Sequence, residues 1–182
     1  MPKEQVLLAA LFAPGSIESE VGKVQAALFS EHGLASAQAL PPLIPIAFLD
    51  AVRSQRELLR GMNAAVSPGW RMRLMGAVWE KGHLYARLET GGVWHTLRAR
   101  ALETGEARHN CLFPAAEGFY LGCGDAPPER RSLISPTLPE KSFTSGTIAL
   151  LNIRAALVGV DWWRDLSWEV VEERPLRGRK PS

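Results

Sequence analysis

Cysteine is scarce in this sequence: Cys111 and Cys123 are the only two among 182 residues. They can form at most one disulfide, which excludes a disulfide-stabilised scaffold and is typical of a reducing compartment. Long apolar runs are also absent, since the longest, such as residues 43–49, are far too short to cross a bilayer. We therefore expect a cytoplasmic protein without a membrane partner.

An excess of one charge is missing as well. The 21 Lys and Arg residues nearly balance the 19 Asp and Glu residues, for a formal net charge of +2. Most of that excess lies near the end of the chain, in Arg174, Arg177, Arg179 and Lys180. The rest of the chain is close to neutral. Its composition therefore does not indicate a positive electrostatic field that would attract nucleic acid. With 46% hydrophobic and 22% charged residues, the composition is that of an ordinary globular domain.

Hydrophobic periodicity in the first half of the chain predicts strands alternating with amphipathic helices. We interpret the apolar run of residues 6–12 as a first core strand rather than a signal peptide. The reason is that the residues before it carry little charge, whereas a signal peptide begins with a positively charged segment. A helix follows, with Ser16 as the expected N-cap and Gly33 as the residue that ends it. A second buried strand is predicted over residues 44–49, and a second helix over residues 54–66.

The second half is predicted to be richer in strands. Residues 72–80 and 83–89 alternate as a β-hairpin, turned at the Lys-Gly pair between them. The elements after it, in chain order, are a helix, a strand, an irregular connection and two strands, over residues 93–102, 118–122, 127–139, 147–153 and 166–172. In the last strand, Trp168 and Val170 are expected to face inward.

Two strands of the same type occur about 100 residues apart. Residues 45–50 (Pro-Ile-Ala-Phe-Leu-Asp) and 147–152 (Thr-Ile-Ala-Leu-Leu-Asn) match closely, position by position. Such an internal match is typical of a domain built from two related halves. We therefore expect two lobes, each presenting an equivalent strand to a shared cleft.

These two segments also carry a resemblance to a known family. Residues 40–48 read Leu-Pro-Pro-Leu-Ile-Pro-Ile-Ala-Phe, and residues 143–149 read Phe-Thr-Ser-Gly-Thr-Ile-Ala. They resemble the two motifs of the 2H phosphoesterase superfamily, the 2′-5′ RNA ligase and cyclic phosphodiesterase group. The motifs of that family have the forms Leu-Pro-Pro-His-Ile-Thr-Leu-x-Phe and Phe-x-Pro-His-x-Thr-Leu-Ala.

The resemblance implies a specific chemistry at each motif. In the family, each motif supplies a histidine and, two residues later, a Ser or Thr. The strand period of two places both side chains on the cleft face. One histidine deprotonates the attacking hydroxyl or water and the other protonates the leaving oxygen, because the pKa of imidazole lies near neutrality. The hydroxyl groups hold the phosphate oxygens.

This chain departs from the pattern at three of the four positions. The first pair is Leu43 and Pro45, and the second pair is Ser145 and Thr147. Leucine and proline side chains cannot transfer protons, and serine without a base is no proton shuttle. Since each general acid or base contributes typically about 10²–10⁴-fold, we expect no catalytic residues at these positions. The four residues are instead expected to line the cleft.

The resemblance also implies the architecture. We expect an α+β fold with two pseudo-symmetric lobes, in which antiparallel sheets with outer helices surround a central cleft. Residues 1–174 are assigned to this single two-lobed domain, and residues 175–182 to a basic, flexible tail. The function implied is that of a catalytically inactive relative, a pseudoenzyme that serves as a binding or interaction module.

Two alternatives to an inactive module stay open. One is a phosphodiesterase acting on RNA or cyclic nucleotides through a rebuilt site, in which Ser145 and Thr147 are joined by His109 or Arg154. The other is a protein-interaction scaffold whose protein partner covers an apolar cleft. A base within about 3 Å of the Ser145 hydroxyl would favour the first, and a narrow or filled cleft would favour the second.

The remaining candidate residues have plain structural interpretations. His109, Cys111 and Cys123 would be three zinc ligands, but no fourth is evident, so we expect no metal and no cofactor. His83 follows the hairpin turn and is expected to be exposed. The pair Trp162–Trp163 offers a platform on which a nucleotide or single-stranded RNA stacks if one ring is exposed.

Overall fold

The computed structural model describes residues 4–109, 112–122, 125–155 and 162–176. The two cysteines, Cys111 and Cys123, and the basic residues of segment 177–182 lie outside these ranges, and so do the expectations that concern them. Within the described ranges, no helix combines the length and the apolarity that crossing a membrane requires.

The described ranges form nine strands and four α-helices. In chain order they are β1 (Glu4–Phe12), α1 (Gly15–His32), β2 (Ile44–Val52), α2 (Gln55–Ala65), β3 (Met72–Glu80), β4 (His83–Glu89), α3 (Val93–Thr104), β5 (Gly105–Ala107), β6 (Gly118–Gly122), α4 (Pro128–Arg131), β7 (Ser142–Phe143), β8 (Gly146–Ala155) and β9 (Ser167–Leu176). A short 3-10 helix, Ala35–Gln38, follows α1.

The strands form two antiparallel sheets. The five-stranded sheet has the order β5-β2-β1-β8-β9, and the four-stranded sheet has the order β6-β4-β3-β7. Both motif strands, β2 and β8, therefore lie in the same sheet, where they pair with the two sides of β1. This arrangement brings residues that are about 100 positions apart in the sequence onto one surface.

Local signals set the ends of the first two helices. Ser16 is not the N-cap of α1, because the helix begins at Gly15 after Pro14, with no side-chain cap. Gly33 ends α1 as predicted, with a left-handed φ of 70° that lacks a steric cost only for glycine. Ser54 caps α2, and its Oγ accepts a hydrogen bond from the Glu57 amide at 3.3 Å.

The hairpin of β3 and β4 has the predicted bounds. Lys81 and Gly82 both have positive φ, 48° and 81°, as the two-residue turn of a twisted hairpin requires. His83 opens β4 opposite Glu80. The turn chemistry and the alternation of the flanking residues thus predict the same register, which the structure confirms.

The last strand differs from the sequence expectation. Trp168 and Val170 lie opposite the buried Ile153 and Leu151 of β8 and so project to the inner face as expected, but they are 41% and 42% exposed there instead of buried. The reason is that β9 is an edge strand, so the sheet does not continue over its outer side. Pro175 and Leu176, assigned to the tail, are instead the last residues of β9, and Leu176 is buried.

Apolar side chains pack on both faces of the sheets. Helices α2 and α3 cover the outer face of the five-stranded sheet, and α1 packs against the four-stranded sheet. Between the sheets lies a second group, here called the inter-sheet cluster. Its buried members are Val6, Leu8, Ala10, Leu40, Leu43, Phe48, Tyr85, Phe113, Ala116, Tyr120, Ala149, Leu151, Ile153 and Trp162.

The two sheets and α1 meet at one buried amide. Gln25, 3% exposed on α1, donates hydrogen bonds from Nε2 to the carbonyl oxygens of Leu40, at 3.3 Å, and Tyr120, at 3.1 Å. The Tyr120 amide in turn donates to the Leu43 carbonyl oxygen at 3.0 Å. These bonds connect β6 of one sheet to the segment that leads into β2 of the other.

Replacement of Gln25 by Met should destabilise the protein by about 1–3 kcal/mol, since two buried carbonyl oxygens then lose a donor while the side-chain volume is retained. The measurement is the free energy of unfolding in urea. The matched control is Gln38→Met at an exposed position, for which a change within about 0.5 kcal/mol is expected. Equal stability of the two variants would contradict the structural role of Gln25.

Candidate functional site

The motif positions on β2 and β8 share the inner face of the five-stranded sheet. Ala10 of β1, a member of the inter-sheet cluster, has Pro45 of β2 opposite it on one side and Ala149 of β8 on the other. Thr147 lies opposite Phe12, which packs against the same cluster. Directly opposed residues of antiparallel strands project to the same face, so both motif strands present their positions between the sheets.

The first motif pair is part of the protein interior. Leu43 is fully buried in the inter-sheet cluster. Pro45 is also buried, and its lack of an amide hydrogen is tolerated because β5 pairs with β2 only from Leu49 onward. On that unpaired side, Trp94 Nε1 of α3 donates to the Pro45 carbonyl oxygen at 3.0 Å.

A bulge in β2 lies within the same motif. The register between β1 and β2 shifts by one residue between the Pro45 and Ala47 pairs, which leaves Ile46 as the extra residue. Arg98 of α3 donates to the Ile46 carbonyl oxygen at 2.7 Å and lies over the Trp94 ring at 5.4 Å. The backbone of the first motif is therefore fixed by α3 rather than left open for a ligand.

The second motif pair is more accessible. Ser145 is exposed just before β8, and Thr147 is half-buried on its second residue. Among the described residues, neither hydroxyl forms a hydrogen bond with another side chain. The pair offers hydroxyl groups but no base, so it can bind an oxygen-rich group but cannot transfer a proton at neutral pH.

Aromatic rings occupy the space between the sheets. Phe113 stacks on Trp162 with 5.4 Å between centroids and an interplanar angle of 27°, and its ring lies 4.4 Å from Tyr120. It also makes an edge contact with Phe48 of β2 at 5.0 Å. Tyr85 of β4 donates from its hydroxyl to the Pro114 carbonyl oxygen at 2.7 Å, which holds the segment that carries Phe113.

His83 belongs to this aromatic group, contrary to its expected exposure. Its ring is half-buried, 6.4 Å from Phe113 and 6.3 Å from Tyr120, and within the described residues its Nδ1 has no hydrogen-bond partner. Burial, and then the nearby Arg131 guanidinium, lower the pKa of His83 from 6.5 to about 4. The imidazole is therefore neutral near pH 7. The alternation with Tyr85 along β4 was the sequence signal for its position.

The two accessory candidates lie away from Ser145 and Thr147. Arg154 is seven residues along β8 from Thr147, about 23 Å, and alternation places it on the opposite face, where its Nη2 is 4.0 Å from Glu169 Oε1. His109 is exposed after β5, which pairs with the far end of β2. The structure thus does not bring either residue to the second motif.

Burial decides the tryptophan candidate, whereas the zinc candidate includes Cys111 and Cys123, which lie outside the described residues. Trp162 is 5% exposed within the inter-sheet cluster and Trp163 is half-buried, so Trp162 does not form an exposed stacking platform. In the part of the chain that the structure describes, no three His, Asp or Glu side chains gather as a metal site would require.

The fold is similar to that of several solved structures. TT0787 of Thermus thermophilus has a TM-score of 0.56 and 19% sequence identity, over 96% of this chain and 100% of that one. E. coli LigT complexed with 3′-AMP has a TM-score of 0.52 and 13% identity, over 97% and 99% of the two chains. A third structure, of a phosphoesterase, has a TM-score of 0.55 and 16% identity, over 95% and 99%.

This chain shares the fold of these three structures. The α+β architecture implied by the sequence motifs is confirmed. No protein-family model matches the sequence, and no curated protein matches it. At identities below 20% the similarity establishes the fold, while the activity has to be argued from the residues of the site.

The low pKa of His83 has a consequence for stability. Above pH 6.5 the imidazole is neutral in both the folded and the unfolded chain, and between pH 6.5 and about 4 only the unfolded chain takes up the proton. Stability should therefore fall as the pH falls through this window. A His83→Phe variant should show a flatter dependence in urea unfolding measured from pH 7 to pH 4.

The matched control is Gln38→Met, an exposed position without a titratable group, which should keep the wild-type slope. The imidazole pKa of His83 can be read directly by NMR titration, where replacement of Arg131 by Gln should raise it. A wild-type value near 6.5 would contradict the burial of this ring.

Proposed function

We propose that the chain is a member of the 2H phosphoesterase superfamily that has lost its catalysis and serves as a binding or interaction module. The single observation that carries this proposal is the state of the first motif, where Leu43 and Pro45 stand in place of the histidine and its hydroxyl partner and are both buried. Side chains without exchangeable protons cannot perform general acid or base catalysis.

The second motif does not compensate for the first. The family mechanism requires one group that accepts a proton and one that donates it, each with a pKa near the working pH. Ser145 and Thr147 have hydroxyl groups that remain protonated at neutral pH. Two hydroxyl groups without an imidazole support binding but not turnover.

A rebuilt site around His83 is the alternative with a specific observation in its favour, because this imidazole lies beside the aromatic rings between the sheets. The chemistry argues against it. A histidine with a pKa of about 4 is a weak base near pH 7 and has no proton to donate there. Moreover, the described rings that contact His83 are those of Tyr85, Phe113 and Tyr120, and none of them is an imidazole that could complete the pair.

The aromatic filling between the sheets also supports a non-catalytic role. A nucleotide held between the two motif strands would have to displace the stacked rings of Phe113 and Trp162, at the cost of their burial. E. coli LigT binds 3′-AMP in its solved structure. We expect this chain to bind 3′-AMP far more weakly than LigT does.

The test combines turnover and binding. Purified protein is incubated with 2′,3′-cyclic AMP beside a variant with Ser145→Ala and Thr147→Ala, and both should release product only at the rate of a protein-free blank. Calorimetric titration with 3′-AMP, with E. coli LigT as the positive control, should give no binding heat for this chain.

Two outcomes would overturn the proposal. Turnover that disappears in the Ser145→Ala, Thr147→Ala variant would mean that the second motif has become part of a working site. Turnover that survives in that variant but disappears in His83→Phe would instead assign catalysis to the inter-sheet imidazole.

A further inference from the structure

The half-buried ring of His83 lies where the aromatic group between the sheets meets solvent. Its centroid is 6.5 Å from that of Tyr85, 6.4 Å from that of Phe113 and 6.3 Å from that of Tyr120. Its Nδ1 is buried and, within the described residues, has no hydrogen-bond partner. The side chain therefore packs as one more aromatic ring, although it is an ionisable group.

Only the neutral imidazole suits this position. A protonated imidazole carries a hydrogen on both nitrogens, and among the described residues the buried Nδ1 of His83 has no acceptor for its hydrogen. A charged ring held in place would combine a partly buried charge with an unsatisfied donor, and both raise the free energy. Protonation therefore favours an arrangement in which the ring has moved out into water.

One cation lies beside the ring and repels a second positive charge. It is the guanidinium of Arg131, at the end of α4. Its Nε donates to the Ala126 carbonyl oxygen at 3.2 Å, and the group lies 5.6 Å from the centre of the Trp79 ring. Because these contacts hold Arg131 in place, a protonated His83 has to move away from it.

The other described groups around His83 do not compensate a positive charge. Lys81 of the hairpin turn is a further cation. Glu80 lies opposite His83 in β3, but it is exposed, and water weakens the attraction between exposed charges. Tyr85 of β4 and Tyr120 of β6 contribute hydroxyl groups that are neutral below pH 7.

The ring also lies at a place where a local opening needs little free energy. His83 is the first residue of β4 and directly follows the turn residues Lys81 and Gly82. Only the end of the hairpin has to move to release the ring, while the rest of the sheet keeps its pairing. Openings at turns and strand ends require less free energy than unfolding of the whole domain.

We propose that protonation of His83 opens the aromatic group between the sheets at the hairpin end, while the two sheets persist. The ring leaves Phe113 and Tyr120, and the surfaces of these two rings become accessible to an apolar molecule. This acid-sensitive opening goes beyond the proposed function and does not depend on it, because His83 belongs to neither motif.

The pKa of His83 determines the size of the effect. Burial, and then Arg131, lower it to about 4 in the closed arrangement, whereas a ring in water has the ordinary value of 6.5. The closed arrangement is therefore favoured above pH 6.5, and this advantage is lost as the pH falls towards 4. The two values correspond to a change of about 300-fold in the equilibrium between closed and open. An opening populated at about 1% at pH 7 becomes the major form below pH 4.

The test uses the dye anilinonaphthalene sulfonate, which fluoresces on accessible apolar surface. It is added to the full chain at pH values from 7 to 4, with far-UV circular dichroism measured in parallel. The wild-type dye fluorescence should rise several-fold towards pH 4 while the circular dichroism stays constant. His83→Phe and His83→Gln, which cannot take up this proton, should not show the rise. The control His109→Gln removes an exposed imidazole and should keep it.

Three results would overturn the proposal. The first is wild-type dye fluorescence that stays constant over the whole pH range. The second is an equal rise in the wild type and in both His83 variants, because the acid response then comes from other groups. The third is a rise that coincides with loss of the circular dichroism signal, since the chain then unfolds as a whole instead of opening at the hairpin.

Discussion

The hydrogen bond from the Tyr120 amide to the Leu43 carbonyl oxygen is the contact on which the arrangement of the two sheets depends. It joins the short strand β6 to the segment that enters β2, and Gln25 Nε2 donates to the carbonyl oxygen of the same Tyr120. The position that would carry the first catalytic histidine is therefore also the point where the sheets meet. At such a junction a side chain that packs is more stabilising than one that must stay solvated.

The apolar residue at the first motif position and the filled space between the sheets belong to one packing arrangement. A catalytic imidazole has to be reached by substrate, and that requires an open surface around it. Leu43 needs no such surface, and its apolar side chain allows Tyr120 and Phe113 to pack together. With Phe113 and Trp162 stacked there, a polar side chain at position 43 would be buried and would need a hydrogen-bond partner.

Local sequence signals predicted the parts of the fold that local physics determines. The Lys81–Gly82 pair predicted the bounds of the hairpin, and Gly33 predicted the end of α1. In each case the chain needs a backbone with positive φ, which glycine adopts without steric cost. The period of two placed Pro45 and Thr147 on a common face. By contrast, alternation does not distinguish a central strand from an edge, so it places Trp168 on the inner face but does not predict that the ring is 41% exposed there.

What the sequence did not predict depends on long-range packing. Phe113 and Trp162 lie in irregular segments 49 residues apart, so no hydrophobic periodicity in the sequence predicts that their rings stack. His83 follows a turn, where exposure is the usual expectation, yet its strand partner and the aromatic rings around it bury the ring. The fold is shared with structures that are less than 20% identical in sequence, so it is compatible with very different residues. Buried packing side chains at the first motif, Leu43 and Pro45, are compatible with it as well.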